Sequence, residues 1–192
     1  KRTHSDDDNF WESAVEFLNV EINYSRTQLH ALPKEGPLIA VANHPFGVLD
    51  GLAIGYILSR VRPDIKILAH STLGRAEPLR PYLIPILFDG DKAALRANVE
   101  SKEVALRHLD KGGAIIIFPA GRVATAEKIF GEATDHPWKR FTVRLVTHSN
   151  ATVVPIFFEG QNSWVFHFVS KLFGSMREAV LMREVLNKMG TE

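Results

Sequence analysis

The 192-residue chain contains no cysteine, so disulfide scaffolding, thiolate catalysis and cysteine-ligated zinc are excluded at the outset. The redox compartment stays open. Long apolar runs are also missing: the densest stretches, Tyr82–Phe88, Ile115–Phe118 and Val153–Phe158, fall far below the roughly 20 residues that span a bilayer and have the length of buried strands. The sequence opens on Lys1-Arg2, which leaves an N-terminal anchor or signal open. There is no Gly-x-Ser-x-Gly elbow, P-loop or dinucleotide fingerprint. No dense basic run is interleaved with aromatics, so nucleic acid is not an expected partner. The eight histidines lack the paired helical spacing of a zinc site. No metal and no cofactor is expected, and His30, His70, His108, His136, His148 and His167 read as structural or surface residues.

What is present is enough apolar material, 45% of residues, for one substantial core, and no shift of composition divides the chain. A single domain is expected. The net charge of +1 conceals an asymmetry, since residues 1–50 carry four Lys/Arg against eight Asp/Glu and the remainder 19 against 14. The body is mildly basic, which suits anionic headgroups or an acidic carrier protein as well as an ordinary solvated surface.

Asp6-Asp7-Asp8 precedes Phe10–Leu18, where apolar residues recur at helical spacing. This is an amphipathic first helix, expected to pack on the body, with membrane contact as the alternative. Residues 1–30 hold this helix and its lead-in, and 31–192 the main domain. Strands are expected at Leu38–Ala42, Ile65–Ala69, Leu83–Phe88, Ala114–Phe118 and Thr152–Phe158, with helices at Asp50–Val61, Lys92–Leu109 and Trp138–His148. The stretch Trp164–Met189 reads as helical, with Phe166, Val169, Leu172 and Phe173 on an apolar side that suits core or interface. Continuous apolar strands alternating with helices predict an α/β fold with a mainly parallel central sheet flanked by helices. In such sheets ligands gather beyond the carboxyl ends of the strands. Two unusual loops, Asn43–Leu49 and Pro119–Val123, begin at such ends.

The first loop reads Asn43-His44-Pro45-Phe46-Gly47-Val48-Leu49-Asp50. Pro45 disfavours helical geometry at His44, and Gly47 permits a sharp bend. A spacing of six residues puts His44 and Asp50 on different sides of a continuous helix, so a bond between them requires the loop to fold back. If it does, the carboxylate fixes the imidazole tautomer and frees the other ring nitrogen as a base. The competing interpretation is that Asp50 simply caps the following helix and His44 is an ordinary loop residue. The second loop, Phe118-Pro119-Ala120-Gly121-Arg122, offers glycine-permitted backbone donors beside an arginine. It suits a phosphate or a developing oxyanion, or is a surface arginine after a turn.

Together with Thr152-Val153-Val154-Pro155-Ile156, these blocks resemble, in order and rough separation, those of the glycerolipid and lysophospholipid acyltransferase superfamily, the PlsC-like domain. The resemblance covers about residues 36–165. It implies the PlsC-like acyltransferase fold over 31–192 and transfer of an acyl group from a thioester of coenzyme A or acyl carrier protein to a hydroxyl of a lyso-lipid acceptor at a membrane surface. By the same resemblance His44 is the general base, Asp50 its orienting acid, and Asn43, Gly47, Phe118, Pro119, Ala120, Gly121, Arg122 and Pro155 belong to the substrate site. The implied location is the cytoplasmic face of a bacterial inner membrane, peripheral or anchored.

Three departures shape the expectation. Five residues separate His44 from Asp50 where four are common, a form that resembles bacterial acyltransferases of ornithine and related aminolipids. Ala120 stands where the third block usually has an acid, and Arg122 comes one position early. Where many members have an arginine block, this chain reads Leu87-Phe88-Asp89-Gly90-Asp91-Lys92, and Arg75, Arg80 or Arg96 is the available substitute. These features favour a lyso-aminolipid over lysophosphatidate as acceptor. The rivals from other classes are a thioester or ester hydrolase and a non-catalytic lipid-binding membrane protein.

Overall fold

The computed structural model describes residues 10–87, 92–128, 130–173 and 176–189. In chain order the elements begin with α1 (Phe10–Leu18), α2 (Arg26–His30), β1 (Leu38–Ala42), α3 (Val48–Ser59) and β2 (Ile65–His70). Two 3-10 turns, Ser71–Arg75 and Glu77–Tyr82, lead into β3 (Leu83–Ile86), followed by α4 (Lys92–Asp110) and β4 (Ala114–Ile117). A short antiparallel pair, β5 (Thr125–Ala126) and β6 (Ala133–Thr134), precedes α5 (Arg140–Thr147), β7 (Thr152–Ile156), α6 (Trp164–Leu172) and α7 (Arg177–Lys188).

The most apolar segments make the middle of a five-stranded parallel sheet of order β3-β2-β4-β1-β7. β1 and β4 are buried along their whole length, as strands covered on both faces must be. Pro85 in β3 and Pro155 in β7 sit on the two edges, where a missing N–H breaks no ladder between two neighbours. Alternate strand residues feed two cores. Leu38, Ala40, Ile116 and Phe118 pack with Ile54 and Leu58 of α3 and Trp11 of α1. Ile39, Val41, Ile115 and Ile117 pack with Ala105 and Leu109 of α4 and Leu145 of α5.

The first helix does pack on the body. Its Trp11 ring lies so close to Gly55 of α3 that a Cβ there would come within 2.3 Å of it. At the amino ends of the strands, buried Arg62 donates to both oxygens of Asp64 from its Nε and Nη2, at 2.8 and 2.7 Å, and reaches the carbonyls of Gly36 and Gly112 at 2.9 and 2.6 Å. One side chain thus ties together the entries to β1, β2 and β4. No helix among the described residues is long and apolar enough to cross a membrane.

Several expected boundaries shift, with physical causes. The helix expected at Asp50–Val61 begins two residues earlier, at Val48, because Gly47 at φ +77° makes the turn. The strand expected to run to Phe158 ends at Ile156, where the backbone N–H and C=O of Phe158 bond the Asn43 side chain instead of β1. The helix expected at Trp138 begins at Arg140, and the C-terminal stretch is two helices rather than one. The expected end of the third strand at Phe88, and Asp6-Asp7-Asp8, lie outside the described residues.

Candidate active site

His44 follows β1 by two residues and Phe118 follows β4 by one, and these strands are neighbours. Their outgoing connections part: β1 leads through α3 over one face towards β2, and β4 leads through α5 over the other towards β7. This opens the carboxyl end of the sheet at that point. The imidazole stacks on the Phe118 ring, with centroids 4.1 Å apart and planes 24° apart.

The Pro45–Gly47 turn folds the chain back so that His44 Nδ1 lies 2.8 Å from Asp50 Oδ2. The same oxygen accepts the N–H groups of Phe46 and Gly47, at 2.8 and 2.9 Å. Asp50 therefore does reach back to the start of α3, and it bonds His44 as well; the cap and the pair are one arrangement. Asp50 is 1% exposed, and its Oδ1 meets no donor among the described residues. Burial pushes its carboxyl above the ordinary value, opposed by the bond and charge of His44 and by the two amides. His44 Nε2 has no hydrogen-bond partner among the described residues.

The turn is held from outside. Gly47, at φ +77°, is closely covered: a Cβ there would lie 2.9 Å from the Leu181 side chain of α7 and 3.2 Å from that of Val123. Asn162 donates to the Pro45 carbonyl at 3.0 Å, and Lys188 lies 5.3 Å from the centroid of the Phe46 ring. Asn43 exchanges two bonds with the Phe158 backbone, 2.9 and 2.7 Å, fixing the end of β1 to the end of β7. Backbone bonds from His44 N to Asp135 at 3.1 Å and from Ala124 N to His44 O at 2.8 Å dock the histidine against the loop after β4.

His44 borders an apolar cavity of about 570 Å³ that crosses the carboxyl ends of β1, β4, β2 and β3. Its wall includes Leu52, Leu73, Leu83 and Leu87 towards the far edge, with Trp11 of α1 and Leu181 of α7. Gly47, Phe118, Pro119 and Gly121 also line it. Of the other expected site residues, Asn43 clamps backbone, Ala120 is buried, Arg122 is exposed beside the cavity, and Pro155 stands apart on the exposed edge strand. Arg75 and Arg80 line a shallow hollow at the β3 edge, away from His44, and Arg80 is engaged by Gly74. Sequence reasoning missed Lys139, which lines the cavity, and the α7 residues that hold the turn; the only local signal was the apolar spacing in the C-terminal stretch.

An acyltransferase family profile, described as Acyltransferase, matches residues 9–187. The chain belongs to this family. Among its relatives is a lyso-glycine lipid O-acyltransferase from Phocaeicola vulgatus, 32% identical over 165 residues, 85% of this chain and 56% of that protein. A second, also named lyso-glycine lipid O-acyltransferase, from Bacteroides thetaiotaomicron, is 31% identical over 159 residues, 82% of this chain and 55% of the relative. The chain spans about half the length of these curated relatives. Within this acyltransferase family, the matched region contains the sheet, the His44–Asp50 pair and the helices that close the cavity.

Proposed function

We propose that the protein transfers a fatty acyl group from a thioester of acyl carrier protein or coenzyme A to the hydroxyl of a lyso-lipid, with a lyso-aminolipid as the favoured acceptor. The observation that carries this is the His44 Nδ1–Asp50 bond of 2.8 Å, made at the wall of an apolar cavity. Three N–H donors converge on Asp50 Oδ2, an arrangement suited to an ionised acceptor. With Nδ1–H donated to Asp50, Nε2 carries the lone pair and acts as the base. The acceptor oxygen attacks the thioester carbon while its proton passes to Nε2. The C–S bond then breaks, and the imidazolium returns the proton to the leaving thiolate, giving an ester and a free thiol.

The amides of Phe46, Gly47 and Gly121 already donate to Asp50 or Phe118. The charge that develops on the carbonyl oxygen is assigned to Lys139, which lines the cavity. The leucine-rich wall takes the acyl chain. Names of the two relatives support a glycine-type acceptor. Peripheral attachment at the cytoplasmic face of a bacterial inner membrane completes the proposal, supported by exposed Phe130 and Trp164, whose rings meet at 5.9 Å on the surface and suit the interfacial depth of a bilayer.

The test is to incubate the protein with each acyl thioester and a panel of lyso-lipids, and to identify products by mass spectrometry. An O-acylated aminolipid with one equivalent of thiol is expected. Equal release of free fatty acid with and without acceptor would make it a hydrolase, and exclusive acylation of lysophosphatidate would overturn the acceptor.

A further inference from the structure

A cationic cluster stands at the rim of the cavity, contributed by parts of the chain far apart in sequence. Arg177, the first residue of α7, donates from Nη2 to the carbonyl of Val123 at 2.6 Å, and its guanidinium lies 5.6 Å from the centroid of the buried Phe166 ring. These contacts hold it against Val123, whose neighbour in the chain is Arg122. Neither arginine has a carboxylate partner among the described residues. A guanidinium has five N–H donors in a planar fork, so most of these donors meet no acceptor among the described residues. His136 adjoins them, its Nε2 3.1 Å from Thr125 Oγ1. Burial, then Arg122 and Arg177, hold His136 below its ordinary value, against the opposing charge of Asp135. Burial and Arg122 do the same to Arg177.

Two cations brought to the same part of the rim, one of them half-buried, favour the approach of an anion. The cluster is also close to the dyad. Asp135, preceding His136, accepts the His44 N–H at 3.1 Å, and Gly121 and Val123, flanking Arg122, both line the cavity. An anion here would sit outside the apolar volume, beside the base.

We propose that Arg177 and Arg122 together bind the carboxylate of the acceptor's amino-acid headgroup, orienting its hydroxyl towards His44. This rests on the lyso-aminolipid reading above. An amino acid attached through its amine keeps a free carboxylate, whose two oxygens match the guanidinium fork. Ala120 is buried and the second loop carries no acid, and the carboxylate before His136, Asp135, is engaged by the His44 N–H.

The experiment measures binding of N-palmitoylglycine and of its methyl ester, neither of which has a hydroxyl to acylate, by calorimetry to wild type, Arg177→Gln and Arg177→Lys. Wild type should favour the acid by about tenfold to a hundredfold, the worth of charge-assisted hydrogen bonds. Arg177→Gln should bring acid and ester within about threefold of one another, with Arg177→Lys between, and the acid should raise the His136 ionisation followed by NMR. Equal binding of acid and ester by wild type would overturn the proposal, and this comparison stands even if Arg177→Gln does not fold. So would equal weakening of both ligands by Arg177→Gln, the mark of a structural role. A rise in KM for the thioester with unchanged acid binding would give the anion site to the donor's phosphate and also overturn it. Because binding needs no turnover, selective binding without acyl transfer would sink the proposed reaction and leave the subsite, and transfer indifferent to the carboxylate would do the reverse.

Discussion

Asp50 holds three donors on one carboxylate oxygen and leaves the other buried without a donor among the described residues. The three donors favour its charge and burial opposes it, and burial is the larger effect, so the carboxyl lies above the ordinary value. For a carboxyl raised in this way, stability is fully present below the ordinary value and is lost as pH rises through the folded one. Asp50→Asn removes the charge while keeping an oxygen for the amides. Its melting temperature at pH 7 should equal or exceed that of wild type, with the gap closing as pH falls towards the ordinary carboxylate range. Acyl transfer should drop, though by less than the about 10²–10⁴-fold that losing a general base costs. Thermal melts beside transfer assays check both; a melting point more than about 4 °C below wild type, roughly 1 kcal/mol or more for a chain of this size, would contradict it. At this scale much was legible. Pro45 and Gly47 signal the turn between His44 and Asp50, and the company of the other two blocks singled the pair out. The burial of Asp50 was not legible, since it comes from α7 and the loop after β4 closing over the turn.

At the scale of elements, α7 is the brace for that turn: Leu181 touches the site of Gly47, and Lys188 reaches both Asn162 and Glu184. Glu184, 4% exposed, accepts from Ser163 N at 3.2 Å and from the Ser163 hydroxyl, joining α7 to the start of α6. Burial pushes its carboxyl up, but the bonds from Ser163 and Lys188 together outweigh that and hold it below its ordinary value. A depressed carboxyl contributes stability above its ordinary value that is lost as pH falls through the folded one. Glu184→Gln should accordingly cost about 1–3 kcal/mol at pH 7, with the deficit shrinking below the ordinary carboxylate range. Chemical denaturation at pH 7 and at acid pH reads this directly, and a deficit that grew on acidification would refute it. The strands of the core were legible from continuous apolar runs. The split of the C-terminal stretch into α6 and α7 was not, because its apolar spacing persists through Phe173 while the chain turns. Nor could local pattern reveal the β5–β6 pair, whose strands are two residues each.

Across the whole molecule the two ends of the sheet divide the work. At the amino ends Arg62 knots three strand entries together, and at the carboxyl ends β1 and β4 release the loops that meet at His44 and Phe118. The placement of a ligand site at those ends follows from parallel strands whose connections part to opposite faces. That much of the architecture, and membership of the acyltransferase family, could be anticipated from the order of the three sequence blocks. Pro155 of the third block lies on an exposed edge, where a strand tolerates proline. The proposed reaction depends on His44 as the base. Its most direct measurement is kcat for acyl transfer to a lyso-aminolipid by purified His44→Ala protein, with folding verified by its melting curve. A loss of about 10²–10⁴-fold with the fold intact is expected, whereas transfer at the wild-type rate would contradict a base at His44.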